Sequence, residues 1–138
     1  MGKDREWPTS GRSIKSARQI GQQAEDQACR YLLRQGLRLV KRNYSCKVGE
    51  VDLIMRDRST LIFVEVRYRK ASRFASPAET VTWFKQQKLI RAAQHFLLFN
   101  SSLATWPCRF DVISITTKAQ TTPDLDILWL KNAFQLED

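Results

Sequence analysis

Residues 49–70, GEVDLIMRDRSTLIFVEVRYRK, hold two runs in which apolar and polar residues alternate, separated by a short polar loop. Such alternation is typical of β-strands with one face in the core. The loop from Asp57 to Thr60 keeps the two runs in phase, so they predict an antiparallel hairpin with strands at 49–56 and 61–69. This feature restricts the fold strongly, because a shift of register by one residue would turn the apolar side chains toward water.

The predicted hairpin also contains the carboxylates of Glu50, Asp52 and Glu65. In the expected register Asp52 lies across from Glu65, and Glu50 lies across from Arg67. Opposed side chains have Cβ atoms roughly 4.5–5.5 Å apart, and like charges at that distance are destabilising. Two such carboxylates need a shared proton, a cation or access to solvent. A divalent ion is one solution, because carboxylate oxygens are ligands that Mg²⁺ or Mn²⁺ prefers.

Two other interpretations of these carboxylates remain open at the level of the sequence. Strands with one solvated face commonly carry Glu and Arg in succession. A register shifted by two residues would pair Asp52 with Arg67 as a simple ion pair.

The rest of the chain predicts helices that pack against this hairpin. Apolar residues recur at helical spacing over 16–35 and Gly36 follows as a stop, while Glu25 lies beside the buried stripe. A second helix is predicted from the capping box SPAE at 76–79 through Phe99. The β-branched and aromatic residues of TVTWF favour a later start near Thr82.

Further strands are predicted at 37–45, 108–117 and 125–130. Residues 1–15 are polar and lack periodicity, so we expect a flexible leader followed by a single domain over 16–138. The resulting order, α-β-β-β-α-β with a fifth strand, predicts an α/β fold with a mixed central sheet flanked by helices.

The net charge of +9 lies in the body of the chain. Residues 1–20 carry five basic and two acidic side chains, and residues 121–138 carry one and four, which leaves +9 on residues 21–120. A nucleic acid is the first partner that this charge suggests and an anionic membrane surface the second, although charge can also serve solubility alone. Basic residues gather on and before the second predicted helix, where they form either a solvated face or a rim that contacts phosphates: Arg69, Lys70, Arg73, Lys85, Lys88 and Arg91.

Other features exclude several classes of protein. No apolar run is long enough for a transmembrane helix and no apolar signal core is present, so we expect a cytoplasmic protein without membrane partners. The three cysteines are far apart and predict free thiols. His95 is the only histidine, and a packing role is expected for it. For Asp111 we expect an ion pair with Arg109.

Several motifs occur in an order that resembles the YraN-type family of uncharacterised bacterial proteins. They are AEDQACRYLLRQGLRLVKRNYSCKVGEVDLI, FVEVRYR, KQQKLIRAAQHFL and RFDVI, and together they cover about residues 16–117. That family is similar to the restriction-endonuclease-like nucleases, which include Holliday junction resolvases. The resemblance therefore implies the restriction-endonuclease-like αβββαβ core.

The resemblance also implies roles for individual residues. Glu25 matches the acid on the first helix, Asp52 the Asp on the second strand, and Glu65 the first member of the E-x-K motif. In this family pattern Asp52 and Glu65 hold Mg²⁺ (or Mn²⁺), while Glu50 or Glu25 binds a second ion or orders the attacking water. Arg67 occupies the position of the E-x-K lysine and would stabilise charge on the phosphate.

That departure leaves Lys85 or Lys88 as substitutes for the missing lysine. The implied function is a metal-dependent endonuclease that hydrolyses phosphodiester bonds, of DNA more than of RNA and with branched DNA as a candidate substrate. A homodimer is implied by analogy with junction-cutting nucleases. The alternative is a catalytically inactive nucleic-acid-binding module of the same fold, because Arg67 cannot act as a base.

Overall fold

The computed structural model of the chain describes residues 16–70, 81–117 and 125–135. Its main elements are α1 (Ala17–Arg34), β1 (Arg38–Cys46), β2 (Gly49–Asp57), β3 (Thr60–Lys70), α2 (Trp83–Leu98), β4 (Cys108–Thr117) and β5 (Leu125–Phe134). The predicted elements are present, and β5 extends beyond its predicted end at 130. The predicted leader at 1–15, the SPAE box and Arg73 lie outside the described residues.

Both helices begin at side-chain caps. Ser16 caps α1 in a reciprocal pair with Gln19, whose main-chain N–H it accepts. Thr82 caps α2 by accepting the N–H of Lys85, so this helix begins at Trp83, in agreement with the later of the two predicted starts. The cap matters for the site, because it fixes the position of Lys85 in the first turn.

The sheet has the order β1-β2-β3-β4-β5, and α1 and α2 cover its opposite faces. Strands β3 and β4 are parallel and are connected through α2, while the other neighbours are antiparallel. One core forms beneath α1 around Leu53 and Ile113, and the other beneath α2 around Ile54 and Phe63. This arrangement confirms the predicted α/β fold with its αβββαβ core and mixed sheet.

The hairpin of β2 and β3 has the predicted register from Asp57 and Thr60 to Leu53 and Val64. The alternative register, which paired Asp52 with Arg67, is therefore wrong. The pairing ends at Leu53, however, and Glu50 pairs with Ser45 of β1. The expected opposition of Glu50 and Arg67 does not form.

A second difference from the prediction concerns the faces of β2. Val51 packs on the α2 side of the sheet, although simple alternation places it with Leu53 on the α1 side. The β1–β2 ladder pairs Arg42 with Leu53 and Tyr44 with Val51, but the pair of residues between them is missing.

The skipped step has a backbone cause at Asn43. Asn43 has a φ of 52°, in the left-handed region that Asn enters at a lower cost than most residues. Its partner by register would be Asp52, so the two strands change faces together where the candidate site begins.

Asp111 has the structural role that was predicted for it. Its carboxylate is fully buried and accepts from Arg109 Nε at 3.0 Å, which confirms the ion pair. It also accepts from Trp129 Nε1 at 2.8 Å and from the main-chain N–H of Asn132 at 2.9 Å. Asp111 therefore fastens β5 to β4 and belongs to the scaffold.

Three further sequence expectations concern the cysteines, the histidine and the helices. Cys29, Cys46 and Cys108 are free thiols, as predicted. His95 packs against the Tyr44 ring and hydrogen-bonds its hydroxyl, which confirms a packing role. Within the described ranges, no helix is both long and apolar enough to cross a bilayer.

Candidate active site

Asp52 and Glu65 meet where β2 separates from β3. One more step of the ladder beyond Leu53 and Val64 would oppose them. The ladder ends there, and Asp52 Oδ2 accepts a hydrogen bond of 2.9 Å from the main-chain N–H of Val66. The carboxylate thus supplies an acceptor that a paired strand would have supplied, and it is held beside Glu65.

Two basic side chains, one from α2 and one from β3, contact the buried carboxylate of Glu65. Lys85 Nζ, from the first turn of α2, lies 2.9 Å from Glu65 Oε2. The Arg67 guanidinium, two residues along β3, lies 3.6 Å from the same oxygen. A lysine is therefore present at the E-x-K glutamate, but it comes from the helix instead of from the strand.

The electrostatics of the pair centre on Asp52. Burial raises the pKa of Asp52 to about 8, and the neighbouring charge of Glu65 adds to the effect. The N–H of Val66 acts in the opposite direction, while Glu25 and Glu50 raise the pKa further. In the absence of an added cation, the raised pKa favours the protonated form of Asp52. A cation that displaces this proton would be bound by both carboxylates.

Glu25 lies behind the pair, on the α1 side. Its carboxylate is 3.7 Å from Arg42 Nη2. Burial raises the pKa of Glu25, although Arg42 and a hydrogen bond from the Asn43 side chain act to lower it. The residue whose left-handed backbone redirects the two strands thus also holds the helix acid in place.

The site opens into a cleft of about 610 Å³ between α2 and the β1–β2 turn. Asp52, Glu65 and Lys85 lie on its walls together with Lys88, and Glu50 contributes an exposed carboxylate. The remaining wall is formed by the turn and by one face of α2: Ser45, Cys46, Lys47, Val48, Gly49, Thr82, Phe84 and Leu89.

The predicted site residues divide into three groups by position. Those that line the cleft are Glu50, Asp52, Glu65, Lys85 and Lys88. Those that are described but do not line it are Glu25, Arg67, Arg69 and Arg91. The structure does not describe the side chain of Lys70 or any part of Arg73.

Sequence reasoning did not single out Asn43, Lys47 and Phe84. A signal exists for Asn43, because an asparagine in the middle of a strand pattern indicates a left-handed residue or a bulge. Lys47 belongs to a tight turn, and Phe84 follows a helix cap. Their place beside the carboxylates depends on how α2 docks, which local pattern does not fix.

The donor atoms of the site decide which metal ions it could hold. In the parts of the chain that the structure describes, no three His, Cys, Asp or Glu side chains form a metal-binding group. The adjacent carboxylates of Asp52 and Glu65 nevertheless fit Mg²⁺, which is commonly held by one or two protein carboxylates and keeps several waters.

Fold and site together define an α/β protein with a carboxylate pair and a lysine at a break in its sheet. A family model described as "Uncharacterised protein family UPF0102" matches residues 24–115. The chain belongs to this family, which confirms the YraN-type resemblance.

Curated relatives agree with the family match, and each is called UPF0102 protein. The relative from Saccharophagus degradans is 51% identical over 120 residues, which cover 87% of this chain and 96% of the relative. The relative from Nitrosococcus oceani is 48% identical over 120 residues, which cover 87% and 94%. The relative from Psychromonas ingrahamii is 47% identical over 125 residues, which cover 90% and 96%.

Proposed function

We propose that this protein is a metal-dependent endonuclease that hydrolyses phosphodiester bonds. The observation that carries the proposal is the contact of Lys85 Nζ with Glu65 at 2.9 Å, beside Asp52 and within one cleft. Two carboxylates can hold a divalent ion for phosphodiester hydrolysis, and an ammonium group beside them can stabilise the negative charge that develops. The departure at Arg67 therefore does not remove the lysine from the site.

Asp52 and Glu65 are the residues that would hold Mg²⁺ or Mn²⁺. When bound there, the ion supplies polarisation of the phosphate and a lower pKa of a coordinated water. The raised pKa of Asp52 has a direct consequence for binding, because the carboxyl group must lose its proton before it serves as a ligand.

The cations of the site have separate tasks in this proposal. Lys85 stabilises negative charge that develops on a phosphate oxygen, since its ammonium group lies on the wall of the cleft. Arg67 does not line the cleft, and it fixes the orientation of Glu65 but cannot serve as a base. Lys88 and Lys47 also line the cleft, where they neutralise backbone phosphates.

The substrate in this proposal is DNA more than RNA, with branched DNA as a candidate. The basic charge of the chain supports a nucleic acid in general. The choice of DNA, and the homodimer that would place two clefts on one branched substrate, rest on the resemblance to junction-cutting nucleases.

One observation favours a second function, a nucleic-acid-binding module without catalysis. The ion pair between Lys85 and Glu65 can neutralise the buried carboxylate without any metal. With Arg67 as a further cation, the site could be a stable structural cluster that only borders a DNA-binding cleft.

The test measures cleavage of labelled branched and linear DNA with Mg²⁺ or Mn²⁺, with calorimetry of ion binding in parallel. The variants are Asp52→Asn, Glu65→Gln, Lys85→Met and Arg67→Lys, and Asp57→Asn is an exposed control carboxylate at the hairpin turn. We expect Asp52→Asn and Glu65→Gln to abolish both ion binding and cleavage. Lys85→Met should bind the ion and lose cleavage by roughly 10²–10³-fold.

Arg67→Lys decides between the two functions. If Lys85 already performs the task of the E-x-K lysine, Arg67→Lys leaves cleavage within about tenfold of the original rate. Cleavage that appears only in Arg67→Lys would support the inactive module. DNA binding without ion binding at millimolar concentrations would contradict the endonuclease.

A further inference from the structure

Two large aromatic side chains are exposed at the start of α2. Trp83 is 57% and Phe84 74% exposed, and their rings meet edge to face with centroids 5.2 Å apart. The buried residues of α2 begin later, at Leu89. The pair therefore presents apolar ring surface to water instead of to the core, and an apolar surface of this kind indicates a contact site.

The position of the pair connects it with the candidate active site. Phe84 lines the cleft, and the next residue, Lys85, contacts Glu65. Trp83 is joined to Phe84 by the ring contact. A group resting on the Phe84 ring would therefore lie in the same cleft as the carboxylate pair.

The charge around the rings selects the kind of partner. Lys85 and Lys88 lie on the same cleft wall as Phe84, and Lys47 lies on the turn across from it. The first turn of α2 contains no acidic residue. An apolar peptide would gain nothing from these ammonium groups, whereas a nucleotide offers a flat base for the rings and a phosphate for the lysines.

We infer that Trp83 and Phe84 form a stacking platform for unpaired bases next to the cleft. The inference rests on the proposed function and narrows its substrate class to nucleic acid with a single-stranded segment, such as a flap or an open junction. In a closed duplex the base faces are covered by their neighbours, so the platform would have nothing to stack on.

The experiment compares binding of a fluorescent single strand and of a fully paired duplex of equal length, in EDTA so that both stay intact. The variants are Trp83→Ala and Phe84→Ala, with Phe84→Tyr as the conservative replacement. Phe99→Ala is the matched control, because Phe99 is 69% exposed but lies at the opposite end of α2. All of these side chains are exposed, so folding should be preserved.

We expect Trp83→Ala and Phe84→Ala to raise the Kd for the single strand about 5–100-fold, as the loss of one stacked base does. The Kd for the duplex should change less than about threefold, and Phe84→Tyr and Phe99→Ala should bind both as the original protein does. A flap substrate should follow the single strand.

Four results would overturn the inference, and they are distinguishable. Equal losses for single strand and duplex, or no loss for either, would reject the platform while the proposed endonuclease stands. A wild-type dimer that Phe84→Ala converts to a monomer in sedimentation, with no change in single-strand binding, would make the rings a subunit interface. Failure of the wild-type protein to bind either nucleic acid would reject the proposed function as well.

Discussion

Asp52 is the residue at which the site imposes a cost on the fold. Its carboxyl group is largely buried next to Glu65, and its pKa rises from 3.8 to about 8. Between these two values the folded protein holds a proton that the unfolded chain has released. The free energy of unfolding therefore decreases as the pH rises through this window, and the cost is complete above it.

Replacing Asp52 should expose this cost directly. Asn keeps an oxygen that can accept the N–H of Val66 but cannot ionise. We expect Asp52→Asn to unfold with a free energy about 1–3 kcal/mol higher than the original protein at pH 9, and with little difference at pH 4. Urea denaturation across this pH range measures the effect.

Asp57→Asn is the control for that series, because Asp57 is exposed and should show no such dependence. A stability difference for Asp52→Asn that stays constant from pH 4 to pH 9 would contradict a raised pKa as its cause.

At the scale of single residues, the sequence predicts that Asp52 meets Glu65, because the alternation of the strands and the length of the short loop determine this contact. It offers Lys85 and Lys88 as alternatives and does not select Lys85 as the lysine that contacts Glu65. That contact depends on where α2 docks on the sheet, and the packing of residues distant in the chain decides the docking. The position of Glu50 is missed for a related reason, because the pairing with β3 stops before reaching it.

The width of the cleft depends on a contact between α2 and the turn that leads into β2. At Gly49 an added Cβ would lie 2.6 Å from the main-chain oxygen of Lys88. The helix backbone thus rests against the glycine, and this approach holds Lys85 within reach of Glu65. A shift of the turn would therefore move α2, and with it Lys85, relative to β2 and β3.

Gly49→Ala should separate these elements. The methyl group would have to displace helix backbone, so we expect a loss of about 1–3 kcal/mol in stability and weaker ion binding. Gly21→Ala is the matched control, because a Cβ there meets nothing within 4 Å and lies in a helix. It should stabilise by about 0.5–1 kcal/mol.

Denaturation and calorimetry of both variants measure the difference. If Gly49→Ala retained the stability and ion binding of Gly21→Ala, the close approach would have no part in positioning the site.

At the scale of helices and strands, the order of the elements and the register of the hairpin follow from the sequence pattern. The change of faces at Asn43 does not, because a single left-handed residue overrides the alternation on which the prediction depends.

For the molecule as a whole, the open question is whether the charge of +9 acts through the cleft or as a diffuse field. Lys47 and Lys88 lie on the cleft. Arg30 and Arg34 are exposed on α1, which covers the other face of the sheet. If phosphates follow the cleft, contacts with the two lysines release counterions on binding, whereas the two arginines make no such contacts.

The prediction is a change in the salt dependence of duplex binding, measured by fluorescence anisotropy over a range of salt concentrations. Each phosphate contact contributes a slope of about −0.9 to log K against log salt. We therefore expect the double variant Lys47→Gln/Lys88→Gln to reduce the slope by about 1.8, and Arg30→Gln/Arg34→Gln to leave it nearly unchanged. Equal reductions of the slope in both variants would mean that the charge attracts DNA without directing it to the carboxylates. The cleft would then not be the binding surface for DNA.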